Sequence, residues 1–354
     1  MSEDREFPHP RVSAHLYGHT QAEQTLLAAY RSGRMPHAVL LTGPKGIGKA
    51  TLAYRLARFV LRWPDPASPE VAAAHSLAVA PEHPVSRQVA VGSHPDLVTL
   101  EADSGIIPVD AVRRAVRFFG ATAGEGGWRI AVIDAAENLN TAAANALLKA
   151  LEEPPRRALF VLISHAPGRL PATIRSRAVS FALRPLSPEA LAEAAGALGF
   201  GLAEDAQERA LIAALAGGSV ARSLAIAGDG IELYRRLKRL LDRLPELDRV
   251  AAHRLADDMA ADDAQFALGL DLLRAWLAGS VRQTASGWPP ASGAQDAAFS
   301  RLPGRLARWA EVWDKLADSA RLAETFNLDR RPFLLSVFRL LAEAAADDAT
   351  SEPA

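Results

Sequence analysis

Two short runs in this chain carry groups able to act on a polyphosphate. The first is Gly43-Pro44-Lys45-Gly46-Ile47-Gly48-Lys49-Ala50, which follows directly on the apolar run Val39-Leu40-Leu41-Thr42. Closely spaced glycines let successive backbone N–H groups curl around phosphate oxygens, and Lys49 reaches the outer phosphates. The residue after that lysine is expected to be Ser or Thr, whose hydroxyl ligates Mg²⁺, and here it is Ala50. Thr51 comes next, but one helical step turns it by roughly 100° away from a metal. Two uses stay open: a structural turn, or weak ATP or ADP binding without a properly held metal.

The second run is Arg129-Ile130-Ala131-Val132-Ile133-Asp134, an apolar strand ending on a carboxylate suited to an Mg²⁺-bound phosphate. Where an active ATPase places a water-polarising Glu, this chain has Ala135. Glu137 lies further on and reads better as a first-turn helix carboxylate favoured by the helix dipole. A missing general base costs about 10²–10⁴ in rate, so the chain's own hydrolysis is expected to be negligible.

These runs need a scaffold. Short β-rich stretches alternate with helical patterns through the first half, the signature of a parallel sheet with crossover helices. Strands are expected at Ala38–Thr42, Asp96–Leu100, Trp128–Asp134, Leu159–Ser164 and Ala178–Ala182, and helices at about 20–32, 49–62, 109–119 and 141–152. Residues 63–95, rich in Pro, Ala and His, read as an inserted surface loop with one short helix at most. Ser187 as N-cap and Pro188 at the first helical position then open an all-helical remainder. Three short helices run to about Ala227, Gly228-Asp229-Gly230 breaks the pattern, and a helical block covers about 231–346 with an interruption at Trp288-Pro289-Pro290. The acidic tail 347–354 is expected to fray. The expected domains are 1–184 (α/β), 185–229 (a helical lid) and 230–346 (a helical bundle).

Composition narrows the chemistry. With no cysteine there is no disulfide, no thiolate zinc site and no cysteine nucleophile, and no metal site is expected. With 40 basic and 41 acidic residues, contact with a polyanion has to come from a local patch. The charged start Met1-Ser2-Glu3-Asp4-Arg5-Glu6 has no apolar core, and no apolar stretch is long enough to span a bilayer. A cytoplasmic protein with no membrane contact is expected.

Several segments together resemble the DNA polymerase III clamp-loader family. They are the lead-in Arg34-Met35-Pro36-His37-Ala38-Val39-Leu40-Leu41, the helix signature Ala143-Ala144-Asn145-Ala146-Leu147-Leu148-Lys149-Ala150-Leu151-Glu152-Glu153-Pro154-Pro155, and Leu170-Pro171-Ala172-Thr173-Ile174-Arg175-Ser176-Arg177-Ala178. The last is similar to the family's Ser-Arg-Cys motif, with Ala178 in the Cys place. The resemblance covers about 15–228 and implies an AAA+ fold: a RecA-like five-stranded parallel sheet, a helical lid and a helical collar.

Within the family the pattern is similar to the delta-prime type. ATPase-active relatives carry Ser or Thr after the loop lysine, Asp-Glu at the second motif and cysteine-bound zinc, none of which occurs here. The delta-prime type often carries zinc as well, so the cysteine-free stretch 63–95 is a departure. The resemblance implies that Arg177 is an arginine finger, presented with Ser176 to ATP held by a neighbouring subunit. An arginine supplied in trans is worth about 10³–10⁵ in turnover, and lysine cannot copy its fork geometry. A surface Arg paired with a nearby carboxylate is the alternative, and the place of Arg177 two residues after Arg175, at the end of a helix following the fourth strand, favours the finger. Ser164 fills the family's first sensor position. In Gly217-Gly218-Ser219-Val220-Ala221-Arg222-Ser223-Leu224 the sensing arginine's place holds Ala221, with Arg222 displaced by one.

Arg113, Arg114 and Arg117 share a helix face opposite Val109, Val112, Val116 and Phe119. The resemblance implies contact with DNA phosphates without sequence reading; a solvated cationic face is the alternative. Trp276, Trp309, Trp313 and Phe326 are expected in the core of the helical block, and Arg235, Arg236, Lys238 and Arg239 in solvent. The implied partners are the gamma/tau ATPase and delta subunits in a hetero-pentameric ring, primer–template DNA and, indirectly, the sliding clamp. The rival expectations are an active AAA+ motor and a regulatory nucleotide-binding protein. Thr at 50 with Glu at 135 is expected to restore the site in part, since Ala221 stays.

Overall fold

The computed structural model describes residues 9–102, 105–120, 127–285, 302, 306–326 and 329–346, apart from the side chains of 317–326. The chain divides into two compact units, residues 1–190 and 191–354.

The first unit is built on β1 (Ala38–Thr42), β2 (Leu97–Leu100), β3 (Arg129–Ile133), β4 (Ala158–Ser164) and β5 (Val179–Ala182). All pairings are parallel, in the order β2-β3-β4-β1-β5. Every residue of β1 and β4 is buried, because these central strands are covered on both faces and read as unbroken apolar runs. Alternation sorts their side chains. Val39 and Leu41 join Leu26 and Tyr30 of α1 (Thr20–Arg31) and Leu52, Leu56 and Phe59 of α2 (Lys49–Arg62). Leu40 points the other way, to Val112 and Phe119 of α5 (Val109–Gly120) and Leu147 and Leu151 of α6 (Thr141–Glu152). This is the expected five-stranded parallel sheet with helices on both faces, and the glycine-rich loop 43–48 joins β1 to α2.

The stretch 63–95 departs from expectation. It holds two helices, α3 (Pro69–Ala73) and α4 (Pro84–Val91). Each opens with Pro in its first turn, behind a side chain, Ser68 or His83, that accepts a backbone N–H. The segment is tied down from outside. Glu23, buried on α1, accepts Leu77 N–H at 2.9 Å and Arg55 Nε–H at 2.5 Å through the same oxygen. Arg31 donates to Val71 O and Ala74 O, Tyr30 Oη to Trp63 O, and Trp128 Nε1 to Pro64 O.

Among the described residues of the second unit all regular structure is helical. The N-terminal part of α8 (Pro188–Ala197) belongs to the first unit, and Ser187 Oγ accepts Ala190 N–H as its cap. Then follow α9 (Ala206–Ala216), α10 (Val220–Ala225), α11 (Ile231–Leu241), α12 (Arg249–Met259), α13 (Asp263–Ala285), and helices over Leu306–Phe326 and Arg330–Ala346. The expected break falls on Gly228, whose ψ of −127° is not helical. Trp276 and Trp309 are buried as expected, but Trp313 is 37% exposed, because its helical phase turns it outward. The Phe326 side chain, the Trp288-Pro289-Pro290 interruption and the tail 347–354 lie outside the described residues. Arg235 and Arg239 are exposed, whereas Arg236 and Lys238 are half-buried; each of the four pairs with a carboxylate, on Glu208, Glu232, Asp258 or Asp242.

Candidate functional site

Gly43, Gly46 and Gly48 have φ of 140°, 82° and 102°, in the half of backbone space that side chains resist. A Cβ on Gly43 would stand 2.5 Å from Leu183 O, so only glycine lets the loop lie against the residue following β5. Lys49 begins α2 and is buried; its Nζ donates to Gly43 O at 2.7 Å and to Pro44 O. Burial pushes its ammonium down to about 8, against the opposing pull of Asp134 and Glu137. The lysine thus closes the loop on its own carbonyls. From the other side the buried ring of His19 donates Nε2–H to Ile47 O at 2.6 Å. Burial holds His19 below its ordinary pKa, although that bond favours the cation. Sequence reasoning missed His19, which has no motif spacing to mark it.

The Ala50 methyl packs against the apolar cluster between α2 and the sheet, and Thr51 is half-buried one step further on. Neither observation supplies the metal-ligating hydroxyl the pattern lacks. The loop with Lys49 has the parts of a phosphate cradle, but residue 50 does not fit a loop-held Mg²⁺.

Asp134 leaves β3 at the same end of the sheet. Its Oδ1 accepts the N–H of Ala135 at 2.8 Å, and burial raises its carboxyl, with His165 and that N–H opposing. Ala135 has φ of 54°. Glu137 sits in a helical turn, Ala136–Asn138, and accepts His165 N–H at 3.0 Å. Burial would raise its pKa, but its own N–H, His165 N–H and the Ser164 hydroxyl together hold it below the usual range. Glu137 therefore ties the exit of β3 to the end of β4. Ser164, fully buried, ends β4 opposite Thr42 of β1. His165, also missed from sequence, is held below its ordinary pKa by burial first and then by Lys49, with Glu137 and Asp134 opposing. Its one sequence signal was its place directly after Ser164.

Arg177 stands elsewhere. It precedes β5, which pairs in parallel with β1, whereas the phosphate loop leaves the far end of β1. The four residues of β5, ~13 Å of extended chain, separate the guanidinium's backbone from its own loop. Its Nη1 donates to Thr173 O at 3.0 Å and its Nη2 to Glu152 Oε1 at 2.7 Å. Ser176 Oγ donates to Thr173 O at 3.1 Å and so closes the end of α7 (Ala172–Arg175).

Arg113, Arg114 and Arg117 are exposed on α5 while Val112, Ala115 and Phe119 are buried; Arg113 reaches Asp110 at 3.5 Å. In the second unit Ala221 is half-buried and Arg222 pairs with Asp271 at 3.5 Å rather than facing bare solvent. Among the described residues no group of three or more His, Cys, Asp or Glu is placed to hold a metal, and no helix is long and apolar enough to cross a membrane.

Residues 18–187 match the family described as DNA polymerase III, delta subunit. Over 229 residues the chain is 38% identical to the DNA polymerase III subunit delta′ of Pseudomonas aeruginosa, covering 62% of this chain and 65% of that one. It is 35% identical to the Escherichia coli subunit delta′ over 156 residues, 44% of each chain. Over this α/β region the chain is similar in sequence to DNA polymerase III delta-prime subunits. The match spans under two thirds of these relatives' own length. A solved gamma-subunit-related protein of Thermotoga maritima aligns with 90% of this chain and 99% of its own, at 16% identity and a TM-score of 0.43. The likeness to these subunits rests on the sequence matches.

Proposed function

We propose that the chain is a clamp-loader subunit that does not hydrolyse ATP and instead offers Arg177 to ATP bound by a neighbouring subunit. The observation that carries this reading is an asymmetry within one sheet. At the carboxyl ends of the strands, Ala50 and Ala135 replace the metal-binding hydroxyl and the water-polarising carboxylate, and Lys49 turns onto its own loop. At the opposite end a partly exposed arginine stands too far from that loop to serve it. An arginine so placed is able to serve a phosphate brought by another chain, where transition-state charge develops between subunits.

On this reading the partners are the gamma/tau-type ATPase and delta subunits in a hetero-pentameric ring. The ring loads the sliding clamp at primed DNA, with Arg113, Arg114 and Arg117 against the phosphate backbone. The phosphate loop keeps at most weak ATP or ADP binding without a loop-held metal. The three-part division at 184 and 229 gives these roles to an ATPase-like domain, a lid and a collar.

The test is ATP turnover by a complex reconstituted from this chain and its ATP-binding partners. Arg177→Ala is expected to lower turnover about a hundredfold or more while the ring still assembles. The isolated chain is expected to show no ATPase with or without DNA. Full turnover by the Arg177→Ala complex, or robust turnover by the isolated chain, defeats the proposal.

A further inference from the structure

Arg177 does not point freely into solvent. Glu152 holds it at 2.7 Å through Nη2 while the Thr173 carbonyl takes Nη1 at 3.0 Å. A guanidinium carries five N–H donors, so these bonds fix its plane and leave Nε–H and the second hydrogen of each Nη for a ligand.

The position of Glu152 sharpens the point. It is the last residue of α6, where a carboxylate lies against the negative end of the helix dipole. Arg177 is the ion partner that offsets this, across 25 residues of sequence. The pair is partly exposed, 35% on the arginine side and 49% on the glutamate side, and such pairs add little to stability. What the pair does do is remove rotamers from a long side chain, and a planar fork loses least entropy when it is already oriented.

We infer that Glu152 is the positioning residue for Arg177: it orients the guanidinium through Nη2 so that the remaining donors meet the phosphate of the neighbouring subunit. The carboxylate stays bound to the arginine throughout and does not touch the nucleotide. This inference rests on the finger reading of Arg177.

The experiment is a double-mutant cycle in the reconstituted complex with Mg-ATP, ring assembly being checked by gel filtration. Glu152→Ala is expected to lower kcat about tenfold with KM for ATP unchanged, the size of effect that misorientation of a reacting group produces. Glu152→Gln, which keeps an oxygen at the same reach, is expected to recover part of the loss. Glu152→Ala combined with Arg177→Ala is expected to be no slower than Arg177→Ala alone. If Glu152→Ala turns over at the full rate while Arg177→Ala does not, the positioning role is wrong and the finger stands. If Glu152→Ala still slows the Arg177→Ala complex, or changes KM and not kcat, Glu152 acts by another route and the inference also fails. If Arg177→Ala itself is without effect, it is the finger reading that falls.

Discussion

A single oxygen of Glu23 accepts Arg55 Nε–H at 2.5 Å and Leu77 N–H at 2.9 Å, so one buried carboxylate joins α1, α2 and the 63–95 segment. Arg55 in turn donates to Ala14 O at 2.5 Å. Removing one member of a buried pair leaves the other charge uncompensated, at about 3–5 kcal/mol. Glu23→Ala is expected to destabilise the protein by about 3 kcal/mol in urea unfolding and to open residues 63–95 to limited proteolysis. A loss within ~0.5 kcal/mol would show that the pair does not organise the segment.

Lys49 makes stability depend on pH in a defined direction. Burial pushes its folded pKa down to about 8, below the ordinary lysine value of 10.5, so the unfolded chain binds this proton more tightly. The penalty is complete below pH 8 and is relieved as pH rises toward 10.5. Relative to Lys49→Met, the wild-type protein should therefore gain about 1–3 kcal/mol between about pH 7 and about pH 10. Thermal melts of both proteins measure this, and a pH-independent difference refutes it.

Ala135 holds φ of 54° directly after Asp134. For a residue with a Cβ this region costs about 1–2 kcal/mol, and glycine's extra freedom when unfolded returns about 0.4–1 of that. Ala135→Gly is expected to stabilise the fold by about 0.5 kcal/mol, read from the urea midpoint at unchanged slope. Destabilisation would mean that the methyl packing outweighs the strain.

On the proposed reading the α5 arginines meet DNA phosphates. Each phosphate contact contributes about −0.9 to the slope of log affinity against log salt. Replacing Arg113, Arg114 and Arg117 by Ala should lower the slope for primed DNA, measured on the assembled complex, by about 2–3. These side chains are exposed, so the fold should be untouched. An unchanged slope would make this a solvated face and nothing more.

Much of the first unit was legible because its signals are local. β1 and β4 are unbroken apolar runs, and α2 and α6 begin where Lys49 follows glycine and where Asn140 caps with its side chain on Ala143 N–H. The helices of 63–95 were missed because five and eight residues are too few to establish a period. Trp313 was misplaced because residue type does not give helical phase. In the site, the sequence singled out Lys49, Ala50, Asp134 and Arg177 but not the groups they touch. His19 with Ile47, Glu137 with His165 and Glu152 with Arg177 are 28, 28 and 25 residues apart, and no spacing rule links such pairs.

The fit of Gly43 beneath the Leu183 carbonyl has a consequence for how this chain meets a fluctuating nucleotide supply. A loop moulded by its neighbours in the same polypeptide keeps its form whether or not triphosphate is abundant. On the proposed reading, the side of the molecule that carries Arg177 is then presented in one constant geometry, and the energy state of the cell is registered by the neighbouring chains, not by this one.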